Sequence, residues 1–246
     1  MKNTTIALAI AALAGSAAAQ GVSGSVRYNG QDFPGAQAGG ANNGGVFNFE
    51  LRGGLQGYGN DGANNLRTFC IEIGEFVGSG AAQINTNPDG TRSIMGGETN
   101  PDQSVTGENA DKVEFTTAYL FTQFNLGASG DLAAEDFDSY ESQRAMQLAI
   151  WHFEEDLGSY DAGTQTYSQS RFSSTNAIND KAADFIAAAL DAGWTDVGSV
   201  RALNIGGGPE WGRQDMLIMI PLPQGAALAG VGLALVGVRR RRNTLA

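Results

Sequence analysis

Glycine punctuates this chain and limits what it can fold into. There are 35 glycines in 246 residues, about twice the roughly 7% of an average protein. They gather with Asn, Asp and Ser in stretches such as 29–45 and 53–65. Glycine adopts the backbone of tight turns without steric cost. The runs between these turns in the first half are too short for helices, so strands are expected there. Hydrophobic residues make up 42%, enough for a core. The length allows one generous domain or two small ones.

Three runs in the first half read as strands. Val22 to Tyr28 alternates loosely, as a half-exposed strand does. Val46 to Leu51 alternates cleanly, with Phe47, Phe49 and Leu51 on one face. Leu66 to Ile73 is rich in β-formers. Residues 78–111 are polar and turn-rich, with Asn-Pro-Asp-Gly at 87–90. They read as a long excursion holding at most a short hairpin.

The second half changes period. Val113, Thr116, Leu120 and Phe124 recur at helical spacing over 112–126, and Gly127 is the stop. Ser139 to Leu157 is the strongest helix pattern, capped by Ser139 or Ser142 and ended by Gly158. Apolar groups surround it, so it is expected to be mostly buried. Asn176 to Ala192 forms a third helix, with Ile178, Ala182, Phe185, Ile186 and Leu190 inward. Val197 to Ile205 and Met216 to Ile220 return to strand. No internal repeat is present. Strands, helices, then strands predict an α+β fold: a β-sandwich or barrel-like sheet with an insertion of about three helices.

The two ends read as addresses. Residues 1–19 have a positive Lys2, an apolar run from Ile6 to Ala14, and Ala17-Ala18-Ala19 before Gln20. That is the order of a secretory signal peptide, to be removed by signal peptidase. At the other end, Pro221-Leu222-Pro223 precedes an almost wholly Ala/Leu/Val/Gly segment from Gly225 to Val238, then Arg239, Arg240, Arg241 and Arg242. Fourteen residues are short for a bilayer that needs about 20. A short apolar segment closed by arginines holds a pre-protein with its tail on the cytoplasmic side. Residues 221–246 resemble the PEP-CTERM sorting signals of Gram-negative bacteria, with Leu222 at the centre of the motif where glutamate is typical. The resemblance implies processing by an exosortase-like transpeptidase, transient anchoring by the C-terminal helix, and a place in the cell envelope or extracellular matrix. The globular domain is then 20–220.

Charge narrows the functions. Lys2 and the four terminal arginines account for five of 15 basic residues and none of 26 acidic ones. The stretch between carries ten basic against 26 acidic side chains, a net −16. A nucleic-acid partner is excluded, because it needs clustered Lys and Arg to displace counterions. One Cys excludes an intrachain disulfide and a multi-cysteine zinc site. One His, His152, makes most histidine-based catalysis improbable, and it reads as a structural residue. Asp131, Glu135, Asp136 and Asp138 offer oxygen ligands for calcium, but without EF-hand spacing they read as a solvated acidic loop. Glu154-Glu155-Asp156 reads as an exposed helix end. No metal and no cofactor is expected.

Two segments carry chemistry. Cys70, in Phe69-Cys70-Ile71-Glu72, is an unpaired cysteine in an exported chain. It is an inert buried thiol, half of an intermolecular disulfide, or a sulfur masked by another covalent bond. Gln147, in Met146-Gln147-Leu148-Ala149-Ile150-Trp151, lies inside an apolar helix. A buried amide costs about 1–3 kcal/mol unless satisfied. Gln147 is therefore hydrogen-bonded, chemically used, or on a partly exposed stripe.

Together these segments resemble the internal thioester domains of bacterial surface proteins. Those domains pair an early aromatic-Cys-hydrophobic motif on a strand with a later hydrophobic-Gln-hydrophobic-Ala-hydrophobic-Trp motif on a helix. The resemblance spans roughly 46–205 and rests on about nine positions. It implies a Cys70–Gln147 thioester shielded from water by Phe69 and Trp151, and a covalent adhesin that acylates an amine- or hydroxyl-bearing surface target. Such chemistry acts once, so no enzyme is implied. A structural surface or matrix protein of the same fold without the bond is the alternative. A secreted hydrolase ranks last, because no nucleophile–base set stands out.

Overall fold

The computed structural model describes residues 21–33, 44–72, 77–84, 112–154, 160–161, 166–167, 175–206 and 213–220. The expected signal peptide and sorting segment, with Pro221, Leu222, Pro223 and Arg239 to Arg242, lie outside the described residues. Among the described residues no helix is long and apolar enough to cross a membrane.

Six strands form one antiparallel sheet. They are β1 (Val22–Gln31), β2 (Phe47–Gly53), β3 (Asn65–Thr68), β4 (Gly80–Ile84), β7 (Val200–Ile205) and β8 (Arg213–Met219), in the order β3-β2-β1-β4-β7-β8. In β2, Phe47, Phe49 and Leu51 are buried while Asn48 and Glu50 are half-buried. The alternation read from sequence thus sets which face turns to the core. β1 sits between β2 and β4, with Val26 opposite Leu51 on one side and Gly80 on the other.

The sheet curls until its two edges meet. Leu217 N–H donates to Phe69 O at 3.1 Å, Ile71 N–H donates to Asp215 O at 3.0 Å, and Cys70 bridges Met216. The result is a nearly closed, barrel-like sheet, which removes unpaired strand edges. Cys70 lies on this seam, just beyond β3.

Three helices are inserted between β4 and β7: α1 (Phe115–Leu126), α2 (Tyr140–Phe153) and α3 (Asn176–Ala192). The α+β class with a barrel-like sheet and a helical insertion is what the chain adopts. α2 starts at Ser139, whose Oγ accepts from Ser142 N–H at 3.2 Å, the expected N-cap. Residues 142–151 are all buried, so α2 is the central helix. α3 packs on it and ends at Gly193, whose φ of 61° is the left-handed C-cap that favours glycine.

Several expectations need correction. The stretch 78–111 holds β4, a central strand. Its Gly-Ala-Ala-Gln-Ile sequence is weak in β-formers, and hydrogen bonds from β1 and β7 on both flanks decide its conformation. A two-residue hairpin of β5 (Tyr160–Asp161) and β6 (Thr166–Tyr167) is also present. α2 ends at Phe153, before Gly158. Glu154 is buried, and its Oε1 accepts from Glu114 N–H at 3.2 Å, tying the end of α2 to the start of α1. On α3 the buried stripe is Ile178, Ala182, Phe185 and Ala189, and Leu190 is 61% exposed. Ile186 is half-buried against the core, so the inward face turns to Ala189 in place of Leu190.

Candidate functional site

Cys70 and Gln147 meet at the barrel seam. A strand residue points its N–H and C=O to one side, and its neighbours point theirs to the other. Phe69 and Ile71 bond to β8. Cys70 therefore faces away from β8, toward α2. There its N–H donates to Gln147 Oε1 at 3.0 Å, and its C=O accepts from Gln147 Nε2 at 2.9 Å. The Gln147 side chain takes the place of a neighbouring strand. Both residues are buried.

This geometry satisfies the glutamine and also polarises it. The Cys70 N–H lies where negative charge would gather if the Gln147 carbonyl were attacked, the position of an oxyanion donor. The Cys70 C=O holds the amide nitrogen that would leave. One residue thus supplies, through its main chain, a donor for the carbonyl oxygen and an acceptor for the amine.

The residues expected to shield this pair are both buried but placed differently. Trp151 lies beside Gln147, one helical turn on. A Cβ on Gly44 would fall 2.6 Å from Gln147 Cγ and 2.9 Å from the Trp151 ring. Only glycine allows the chain before β2 to pack this closely. Phe69 turns its ring to α1, edge-on to Phe124 with centroids 4.9 Å apart.

A polar hub one turn earlier on α2 fixes the helix against the sheet. Gln143 Oε1 accepts from Val46 N–H at 3.3 Å, and its Nε2 donates to Asp32 Oδ2 at 2.8 Å and Phe137 O at 3.1 Å. Asp32 also accepts from Asn48 at 2.7 Å and Arg67 at 2.7 Å. Arg67 reaches Asp138 at 2.8 Å and lies over the Phe124 ring at 5.5 Å. Burial pushes the Asp32 carboxyl up, but the three hydrogen bonds and the Arg67 charge outweigh it and hold it below its usual value. Burial also pulls Arg67 down, and its two carboxylate partners more than reverse that. Sequence reading passed over Asp32, Gln143 and Gly44. The signal for Gln143 was its place four residues before Gln147, on the same helix face.

Elsewhere the candidates fall away from this pair. Burial lowers the pKa of His152, and its ring lies edge-on to Phe153. Glu135 pairs with Lys181, Asp138 with Arg67, and Asp131 with the Gln123 side chain. Among the described residues no three His, Cys, Asp or Glu side chains converge as a metal site would require. Burial and the nearby Cys70 raise the pKa of the Tyr28 phenol.

No protein-family model, curated protein or solved structure matches the chain.

Proposed function

We propose that this chain is an exported, exosortase-sorted surface protein whose body forms a Cys70–Gln147 thioester and uses it as a covalent adhesin. The observation that carries the reading is the paired hydrogen bonding of the Gln147 carboxamide with the Cys70 main chain, at 3.0 and 2.9 Å, in a buried setting. The Cys70 thiol attacks Gln147 Cδ. The C–N bond breaks, and ammonia leaves with the thiol proton. An amine or hydroxyl on the target then takes the acyl group and Cys70 becomes a thiol again. Burial under Trp151 and Gly44 keeps water from the acyl–sulfur bond.

The same hydrogen bonds favour a second reading, since they are complete without any covalent bond. In that reading Gln147 only satisfies the Cys70 main chain beside the seam, and the protein is a structural component of the surface or matrix. Intact mass of the exported protein separates the two. The thioester reading expects a mass short by one ammonia, a methylamine adduct at Gln147, and neither in Cys70→Ala. A full mass with a titratable thiol supports the structural reading.

A further inference from the structure

The β1–β2 ladder carries a break that leaves one asparagine in a different setting from the others. In β1 the register passes from Tyr28 opposite Phe49 to Gly30 opposite Asn48. Asn29 between them has no partner on β2, as the extra residue of a β-bulge does. On the other flank the pairing of β1 with β4 ends at Val26 and Gly80. There Tyr28 N–H donates to the Ser79 hydroxyl at 2.9 Å. Asn29 is exposed.

The residue after it is Gly30. Among the described residues, a Cβ added at Gly30 would meet nothing within 4 Å, so the space beside this peptide is open. Asn29 is the one described asparagine followed by glycine. That order matters chemically. The carboxamide carbon of an asparagine can close a five-membered imide ring with the main-chain nitrogen of the next residue. A side chain on that next residue crowds the closure, and glycine has none. The ring also needs a carboxamide that can turn. Among the described residues the Asn29 carboxamide makes no hydrogen bond. Those of Asn48, Asn60, Asn125 and Asn204 are each tied to a neighbour.

We propose that Asn29–Gly30 is a site of spontaneous deamidation with water as co-reactant, and that the folded protein ages there into aspartate and isoaspartate. The Gly30 main-chain nitrogen gives up its proton to a solvent base and attacks Asn29 Cγ. The bond from Cγ to Nδ2 breaks, and ammonia leaves with a proton from solvent. Water then opens the imide at either carbonyl. One opening restores the main chain and leaves an aspartate. The other routes the main chain through the former side chain, one methylene longer, and leaves an isoaspartate. The net change is ammonia exchanged for water, with nothing oxidised or reduced. The bulge tolerates the longer link, because the ladder is already interrupted at Asn29. This inference is independent of the Cys70–Gln147 reading. A thioester loses ammonia and takes up no water, whereas Asn29 gains water as it loses ammonia.

The test holds the full chain in ¹⁸O-labelled water at mildly alkaline pH, folded in one sample and unfolded by urea in another. Peptide fragmentation by mass spectrometry then locates the label. In the folded sample Asn29 should take up one labelled oxygen at a rate within about tenfold of the unfolded chain. It should give both aspartate and isoaspartate. In the same folded sample Asn48, Asn60 and Asn125 should react at least about tenfold more slowly than Asn29, since their carboxamides are held. Asn29→Gln, whose ring closure would be six-membered, should take up no label at that position. Label at Asn29 in urea alone overturns the proposal, because the folded bulge then does not present the amide. Label at Asn48 or Asn60 as fast as at Asn29 overturns it as well. So does aspartate without isoaspartate, which marks direct hydrolysis in place of an imide. The peptides holding Cys70 and Gln147 report on the thioester separately, so either reading can fail while the other stands.

Discussion

Gln143 and Gln147 stand one turn apart on α2, and the same side chain meets two different surroundings. Gln143 is bound by Val46 N–H, the Phe137 carbonyl and the Asp32 carboxylate. Asp32 in turn ties it to Arg67 and Asn48. Charge-assisted bonds of this kind are about twice as strong as neutral ones. Among the described residues the Gln147 side chain hydrogen-bonds to the main chain of Cys70, and both bonds are neutral. The first glutamine anchors the helix to the sheet. The second pairs with the main chain of Cys70. A site of the proposed kind needs this division, with one group to fix the geometry and another to take part in chemistry.

The largest effect is expected from removing the glutamine that pairs with Cys70. Gln147→Ala leaves the buried N–H and C=O of Cys70 unpaired, at about 1–3 kcal/mol each. Urea unfolding should show a loss of about 4 kcal/mol, and any methylamine adduct should disappear. Gln143→Ala leaves the Val46 N–H and the Phe137 C=O unpaired and removes one donor to Asp32, so its loss should be of similar size, about 4 kcal/mol. If it abolishes the adduct as completely as Gln147→Ala in a folded protein, the division between the two glutamines collapses.

Gly44→Ala sharpens the comparison from the other side. Its methyl would press Gln147 and Trp151, while the Gln143 hydrogen bonds are left in place. Overpacking of this kind costs about 1–3 kcal/mol. Thermal unfolding should reveal it, together with slower adduct formation.

Acid should act on the Asp32 anchor before the Cys70–Gln147 pair. The Asp32 carboxyl is held below the usual 3.8, so its contribution is complete above that value and lost as pH falls through the folded value. Asp32→Asn should therefore lower stability at pH 7 and flatten the dependence on pH between about 5 and 2. An unchanged acid limb would remove Asp32 from the anchor. His152 gives a smaller effect of the same sign. Burial lowers its pKa from 6.5, so the stability it confers is complete above 6.5 and declines below it. His152→Gln should weaken that decline in unfolding curves taken between pH 7 and 5. Smallest of all, Leu190→Ser on the exposed face of α3 should stay within about 0.5 kcal/mol.

Much of the scaffold was legible in the chain. The period-two run Phe47, Phe49, Leu51 became the buried face of β2, and α3 matches its expected bounds at Asn176 and Ala192. Of the two serines offered as caps for α2, Ser139 is the one that caps it. β4 was not legible, because Gly80 to Ile84 has little β propensity of its own and takes its shape from two neighbours. Glu154 was read as exposed because it opens an acidic run. Its burial depends on α1 arriving from 40 residues earlier in the chain.

The sequence by itself determined the α+β class, most element positions, the acidic charge and the two residues worth watching, Cys70 and Gln147. These follow from local periodicity, turn chemistry and the cost of burying an amide. The tertiary structure decided that the sheet curls until its edges meet at Cys70, that Gln147 takes a strand's place on the side of Cys70 turned away from β8, and that Asp32 and Gly44 set its approach. Those contacts join residues tens of positions apart, and no local pattern encodes a pairing made only when the barrel closes.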